Sequence, residues 1–149
     1  MSTLNRAIAL AARAHEGQFD KAGASYILHP LRLMLRQPSP EGMMVAVLHD
    51  VIEDTDVSLA DLRAEGFPPA VVEAVAALTR QPQESYEAFI QRIAPNPLAR
   101  RVKLADLEDN LDLRRLEALQ DHDLERARRY HAAWRYLSLL EGEPATDWR

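Results

Sequence analysis

Apolar residues recur at helical spacing in segment after segment of this chain, and no stretch alternates with the period of two that a half-buried strand requires. In the first segment Leu4, Ile8, Ala11 and Ala12 share a face, with Ser2 or Thr3 placed to cap it, and the glycines of "EGQFDKAGAS" end it. A second helix carries Leu28, Leu31, Leu33, Met34 and Leu35, with His29 and Pro30 in its first turn, where the missing proline N–H is not needed. "QPSP" closes it, and a third helix is expected from about Pro40 to Glu53. Ser58 and Gly66 bracket a short helix, and "PPAVVEAVAALT" and "SYEAFIQRIA" supply two more. "NPLARRVKLADLEDNLDLRRLEAL" is predicted to turn Leu98, Val102, Ala105 and Asn110 inward, and "DHDLERARRYHAAWRYLSLLEG" to form the last helix from an aspartate cap. The fold class is therefore all-α. A chain of 149 residues, 47% hydrophobic, suits one compact domain, taken as residues 1–141, with 142–149 as a loose tail.

Composition narrows the chemistry. No run of about 18 apolar residues is present, which excludes a membrane span. The amphipathic N-terminus lacks the apolar region and cleavage site of a signal peptide, so the expected location is cytoplasmic. With no cysteine, any metal must be held by His, Asp and Glu. A formal charge of -5 argues against a nucleic-acid partner, but leaves open a small anionic ligand held by a local group of bases. No feature sets an oligomeric state.

The stretch "VLHDVIEDTD", residues 47–56, follows the apolar run "MMVAVL" directly with His49 and Asp50. On one helix Glu53 lies four residues after His49, and Asp54 four after Asp50, so the four can line one side. Carboxylates gathered there repel one another unless a cation offsets them, and acids at a helix C-terminus oppose its dipole. A solvated acidic helix end is the alternative. Two distant residues favour the cation: His29 beside an apolar stripe in "YILHPLRLM", and Asp106 after Leu104 and Ala105, where an unpaired carboxylate near a core face is costly. Two imidazoles and two carboxylates make a mixed set suited to Mn²⁺, Fe²⁺, Co²⁺ or Zn²⁺.

The order H, HD, D resembles the HD-domain metal-dependent phosphohydrolases. It is most similar to the alarmone hydrolase domains of RelA/SpoT-type enzymes and their stand-alone small relatives. The residues that carry this are "AARAHEGQ", Tyr26 with His29-Pro30, "HDVIEDT" and "VKLADLEDN", spread over about residues 4–116. The resemblance implies a compact all-α HD-domain bundle and a manganese ion held by His29, His49, Asp50 and Asp106. It further implies Glu53 and Asp54 as the catalytic residues that position or activate the attacking water, and Asn110 as a nucleotide or site-organising contact.

The family pattern has Arg-Lys where this chain has Asp20-Lys21, and "KLADRLHN" where this chain has "KLADLEDN", so that Leu107 replaces an arginine and Asp109 a histidine. The expected metal shell is kept and the substrate shell is altered. Lys21 and Lys103 are candidates to offset phosphate charge, and Tyr26 to pack or to stack on a base. Removal of the 3′-pyrophosphate of (p)ppGpp-like nucleotides is the function implied. A phosphohydrolase acting on another nucleotide or phosphate ester, and a non-catalytic nucleotide-binding protein, are the alternatives.

Overall fold

The computed structural model describes residues 2–142; most of the expected tail, 143–149, lies outside the described residues. Among the described residues there are helices and turns, a lone antiparallel bridge between Phe19 and Ser25, and no strand. None of these helices is long and apolar enough to cross a membrane.

The middle of the molecule is set by "GMMVAVL". The helix α3 (Pro40–Leu48), capped by Ser39, buries Met44 through Leu48 without interruption. A helix apolar all round must be surrounded, and α1 (Leu4–Ala14), α2 (Leu28–Leu35), α6 (Pro69–Ala77) and α8 (Pro97–Asn110) pack around it. Each turns a stripe inward: Ala7 and Ala11 on α1, Leu33 and Met34 on α2, Val71, Val72 and Val75 on α6, Ala99, Val102 and Ala105 on α8. Thr3 caps α1 by accepting the Arg6 N–H, and Asn96 caps α8 ahead of Pro97. The short α5 (Leu59–Ala64) carries a capping box between Ser58 and Asp61 and stops at Gly66, whose φ of +84° a side chain would resist. The helices α7 (Tyr86–Ile93) and α9 (Asp121–Leu140) both pack against α8.

Three local expectations are corrected. The helix expected from Pro40 to Glu53 breaks at His49 and Asp50 and resumes as a single turn, α4 (Val51–Asp54). The His49 ring places Nδ1 2.6 Å from the Ala46 carbonyl, the acceptor that the Asp50 N–H needs for a continued helix. Asn110 is exposed rather than interior, because the buried stripe of α8 runs through Val102, Ala105, Asp106 and Asp109 and leaves Asn110 at its edge. The last helix is capped by Gln120, not an aspartate; Asp123 completes that capping box from inside the helix.

Of the 20 residues of α9 only Asp123, Ala133 and Leu137 are buried. Leu137 is its one fully buried large apolar residue, with Tyr130 and Trp134 partly buried against the core. Leu137→Ala is expected to cost about 2–5 kcal/mol. The measurement is a lowered urea midpoint with an unchanged m value; a midpoint equal to that of the parent chain contradicts the anchoring role.

Candidate functional site

The break after α3 puts two polar residues at the inner end of the most buried helix, where α2 and α8 meet it. His49 is 3% exposed and His29, from the first turn of α2, is 7%. One donor atom from each of His29, His49 and Asp50 lies within 4.8 Å of the others. Asp106, on α8, stands against both rings: its Oδ1 is 2.9 Å from His29 Nε2 and 3.8 Å from His49 Nε2. Residues 77 apart in the chain thus meet in one buried cluster.

Proton accounting shows what this cluster lacks. The Nδ1 of His29 is 2.6 Å from Asp109 Oδ2, and its Nε2 faces Asp106. The Nδ1 of His49 faces the Ala46 carbonyl, and its Nε2 is 2.9 Å from Asp50 Oδ2 without the geometry of a hydrogen bond, so that this buried nitrogen is left without a partner. A neutral imidazole has one N–H. Each ring here meets acceptors on both nitrogens, so each needs a second positive centre, a proton or a cation. Burial works to keep His49 neutral, but Asp50 and Asp106 outweigh it and raise its pKa well above the ordinary histidine range; His29 is raised likewise by Asp106 and Asp109. Burial pushes Asp106 up, yet Lys103 and the two imidazoles hold it well below the carboxylate range. With Nδ1–H directed to Asp109 on one ring and to the Ala46 carbonyl on the other, a neutral imidazole turns its Nε2 lone pair toward the carboxylates. Two imidazole nitrogens and carboxylate oxygens around one point fit a divalent cation.

The surrounding residues hold this arrangement. Asp109 is 2% exposed and accepts from Arg32 through both oxygens, at 2.9 Å each, while orienting the His29 ring. Its backbone carbonyl accepts from Arg115. A carboxylate behind a metal-facing histidine fixes the ring and raises its basicity. Asp109 was not among the site residues expected from the sequence. Its position three residues after Asp106, on the same face of α8, is the signal that points to it.

The other expected residues separate by what they touch. The Tyr26 hydroxyl donates to Asp50 Oδ2, and its ring lies against His15 and His29. Burial first and Asp50 second raise its pKa, so it stays a protonated donor. Lys103 donates to Asp106 Oδ2 at 2.9 Å, and Asn110 Nδ2 to Asp106 Oδ1 at 3.0 Å. Both sit on an expected ligand. Lys21 is exposed and lines a cavity of about 340 Å³ together with Tyr26 and Asn110, the residues that bond to Asp50 and Asp106.

Glu53 and Asp54 follow Asp50 on α4 and stand outside the cluster of donor atoms. Glu53 Oε1 accepts the backbone N–H of Arg80. The loop that presents this N–H is held by Arg92, which donates to the Thr79 carbonyl and pairs with Glu84. Burial raises the pKa of both acids, and Asp50 adds to it.

No family model matches the chain. It is 31% identical over 120 residues to the guanosine-3′,5′-bis(diphosphate) 3′-pyrophosphohydrolase of Aquifex aeolicus, covering 72% of this chain and 17% of that protein. It is 30% identical over 123 residues to the bifunctional (p)ppGpp synthase/hydrolase SpoT of Escherichia coli, with the same coverage. To a GTP pyrophosphokinase of Streptomyces coelicolor it is 32% identical over 121 residues, 14% of that protein. The chain therefore spans less than a fifth of the length of these relatives. A solved structure described as a metazoan SpoT ortholog that hydrolyses ppGpp and plays a role in starvation responses matches with a TM-score of 0.74. The identity is 25%, over 94% of this chain and 92% of that one.

Asp109→Asn keeps the shape of the side chain and removes the charge behind His29. It is expected to weaken divalent-cation binding about 10- to 100-fold, measured by calorimetric titration; an affinity equal to the parent's removes Asp109 from the site.

Proposed function

Since the chain belongs to the HD-domain family of alarmone hydrolases, we propose that it is a metal-dependent phosphohydrolase removing the 3′-pyrophosphate of (p)ppGpp-like nucleotides. The observation that carries this reading is the cluster of His29, His49, Asp50 and Asp106, in which both buried imidazoles face acceptors on each nitrogen. These four residues would hold the cation, and Mn²⁺ suits their mixed nitrogen and oxygen donors. When bound, such an ion supplies Lewis acidity and makes water a usable nucleophile near neutral pH.

The chain's own residues do the rest. Glu53, with its pKa raised by burial and one oxygen held by the Arg80 N–H, would orient the attacking water and take its proton. Asp54 assists from the same turn. Tyr26 and Asn110 steady Asp50 and Asp106 and form the near wall of the cavity, where a nucleoside fits; Lys21 at its lip meets phosphate. Lys103 offsets charge at the reacting end. The reading takes residues 1–141 as one cytoplasmic catalytic domain with a small nucleotide as substrate. A second reading, a phosphohydrolase acting on another nucleotide, draws on Asp20, whose carboxylate stands where the family pattern has an arginine and accepts the Ala22 and Ala24 N–H groups.

Hydrolysis of ppGpp, its adenine counterpart, NADPH and simple nucleotides in Mn²⁺ buffer tests the proposal. Release of pyrophosphate from the 3′ position, abolished by His49→Ala, is expected. Turnover of another nucleotide alone moves the protein to the second reading, and no metal binding with no turnover ends both.

A base must be deprotonated to act, so activity is lost as pH falls through the Glu53 pKa. Because burial lifts that value, the acid limb of kcat/KM is expected above the ordinary glutamate range. Glu53→Gln is expected to lower kcat by about 10²- to 10⁴-fold and remove that limb; an acid limb that persists in Glu53→Gln assigns it to another group.

A further inference from the structure

Among the described residues the Glu53 side chain makes one hydrogen bond, accepting the Arg80 N–H at Oε1. That N–H is half of a peptide unit whose other half is the Thr79 carbonyl, and the carbonyl accepts from Arg92 Nη2 at 2.8 Å. A peptide unit is planar, with its N–H and C=O on opposite edges. Any turn of the plane therefore moves both ends together, and the position of the Arg92 guanidinium is carried to the Glu53 carboxylate. The link is electrical as well. A positive charge against the carbonyl oxygen polarises the amide and strengthens its N–H as a donor.

Arg92 is itself fixed. It stands on α7 three residues after Phe89, whose ring centre lies 5.6 Å from the guanidinium carbon. Its Nε and Nη2 donate to the two Glu84 oxygens at 2.8 and 2.9 Å, a two-pronged pairing that a planar guanidinium makes and an ammonium does not. Its Nη1 reaches the Ala76 carbonyl at 3.4 Å, in the last turn of α6, where carbonyls run short of helical donors. Glu84 closes the loop between α6 and α7. Its Oε1 accepts the Gln81 N–H and its carbonyl accepts Arg80 Nε, both at 3.0 Å. Between them Gln83 takes a φ of +66°, a conformation that a residue with a side chain keeps only where its surroundings impose it. Arg92, and after it the Gln81 N–H, hold the Glu84 carboxyl down at about 2, so the pair stays charged at neutral pH. A staple for the loop needs only the pair of Arg92 with Glu84. The further bond to the Thr79 carbonyl puts that pair in line with Glu53.

We propose that Arg92 is a positioning residue for Glu53, setting the orientation of its carboxylate through the Thr79–Arg80 peptide unit. This rests on the reading of Glu53 as the base of a nucleotide phosphohydrolase, and its test separates the two. The full chain is compared with Arg92→Ala, Arg92→Lys, Glu53→Gln and the double variant Glu53→Gln/Arg92→Lys, on whichever nucleotide the parent hydrolyses. Measured are kcat, KM, Mn²⁺ affinity and hydrogen exchange at the Arg80 amide. Lysine keeps the charge but cannot hold both Glu84 oxygens and the Thr79 carbonyl at once. Arg92→Lys is expected to lower kcat about tenfold and Arg92→Ala about a hundredfold, with KM and Mn²⁺ affinity within about threefold of the parent's. Once Glu53→Gln has removed the base, Arg92→Lys is expected to change kcat by less than about twofold. Exchange at the Arg80 amide is expected to quicken about tenfold in Arg92→Lys. If Arg92→Ala does not fold, Arg92→Lys carries the test alone. A parent-like kcat in Arg92→Lys overturns the inference. So does an equal loss of kcat on the Glu53→Gln background, or a matching loss of Mn²⁺ affinity, either of which makes Arg92 a structural staple. If the parent turns over no nucleotide, the hydrolase reading falls and the Arg80 amide decides the link: faster exchange in Arg92→Lys upholds it, and unchanged exchange removes it.

Discussion

His29 and His49 lie inside the bundle with an acceptor against each ring nitrogen, and a neutral imidazole brings one proton to meet two. Much of the polar architecture follows from this shortage. Burying Asp50, Asp106 and Asp109 together is unfavourable unless positive charge and hydrogen bonds answer them. Lys103 answers Asp106, Arg32 answers Asp109, and the Tyr26 hydroxyl answers Asp50. One positive centre between the two Nε2 atoms and the carboxylates would complete the set.

The same demand shapes the backbone. The core requires α3 to be apolar along its length, while the site requires His49 at its inner end with Nδ1 committed. Both are met when the His49 ring takes the Ala46 carbonyl. The helix stops there, and Glu53 and Asp54 move onto a separate turn that the Arg80 N–H can reach. Arg92 and Glu84 hold that loop from the α7 side, so the orientation of Glu53 depends on an ion pair well removed from it in sequence.

The resemblance placed the four expected ligands, and the fold brings their donor atoms together: His29, His49 and Asp50 within one small radius, and Asp106 against both rings. Residues expected at the substrate are more entangled with the cluster than their types suggested. Tyr26, Lys103 and Asn110 each bond to an expected ligand; helical spacing puts Lys103 and Asn110 one turn from Asp106, whereas the Tyr26 contact with Asp50 joins separate segments and no spacing rule reveals it. Asp20 marked a changed substrate shell in the sequence. Only the loop's hydrogen bonds show that its carboxylate builds the turn that carries Phe19.

By itself the sequence determined the all-α class and nearly every helix, and its resemblance supplied the candidate chemistry-bearing residues. Periodicity, caps and residue types are local properties, carried within one or two turns of chain. Tertiary structure decided where α3 ends, that Asp109 stands behind His29, that Asn110 lies at the edge of the stripe rather than inside it, and which side chains share a cavity. Those outcomes depend on contacts such as that between His29 and Asp109, 80 residues apart, whose geometry exists only after the helices have packed.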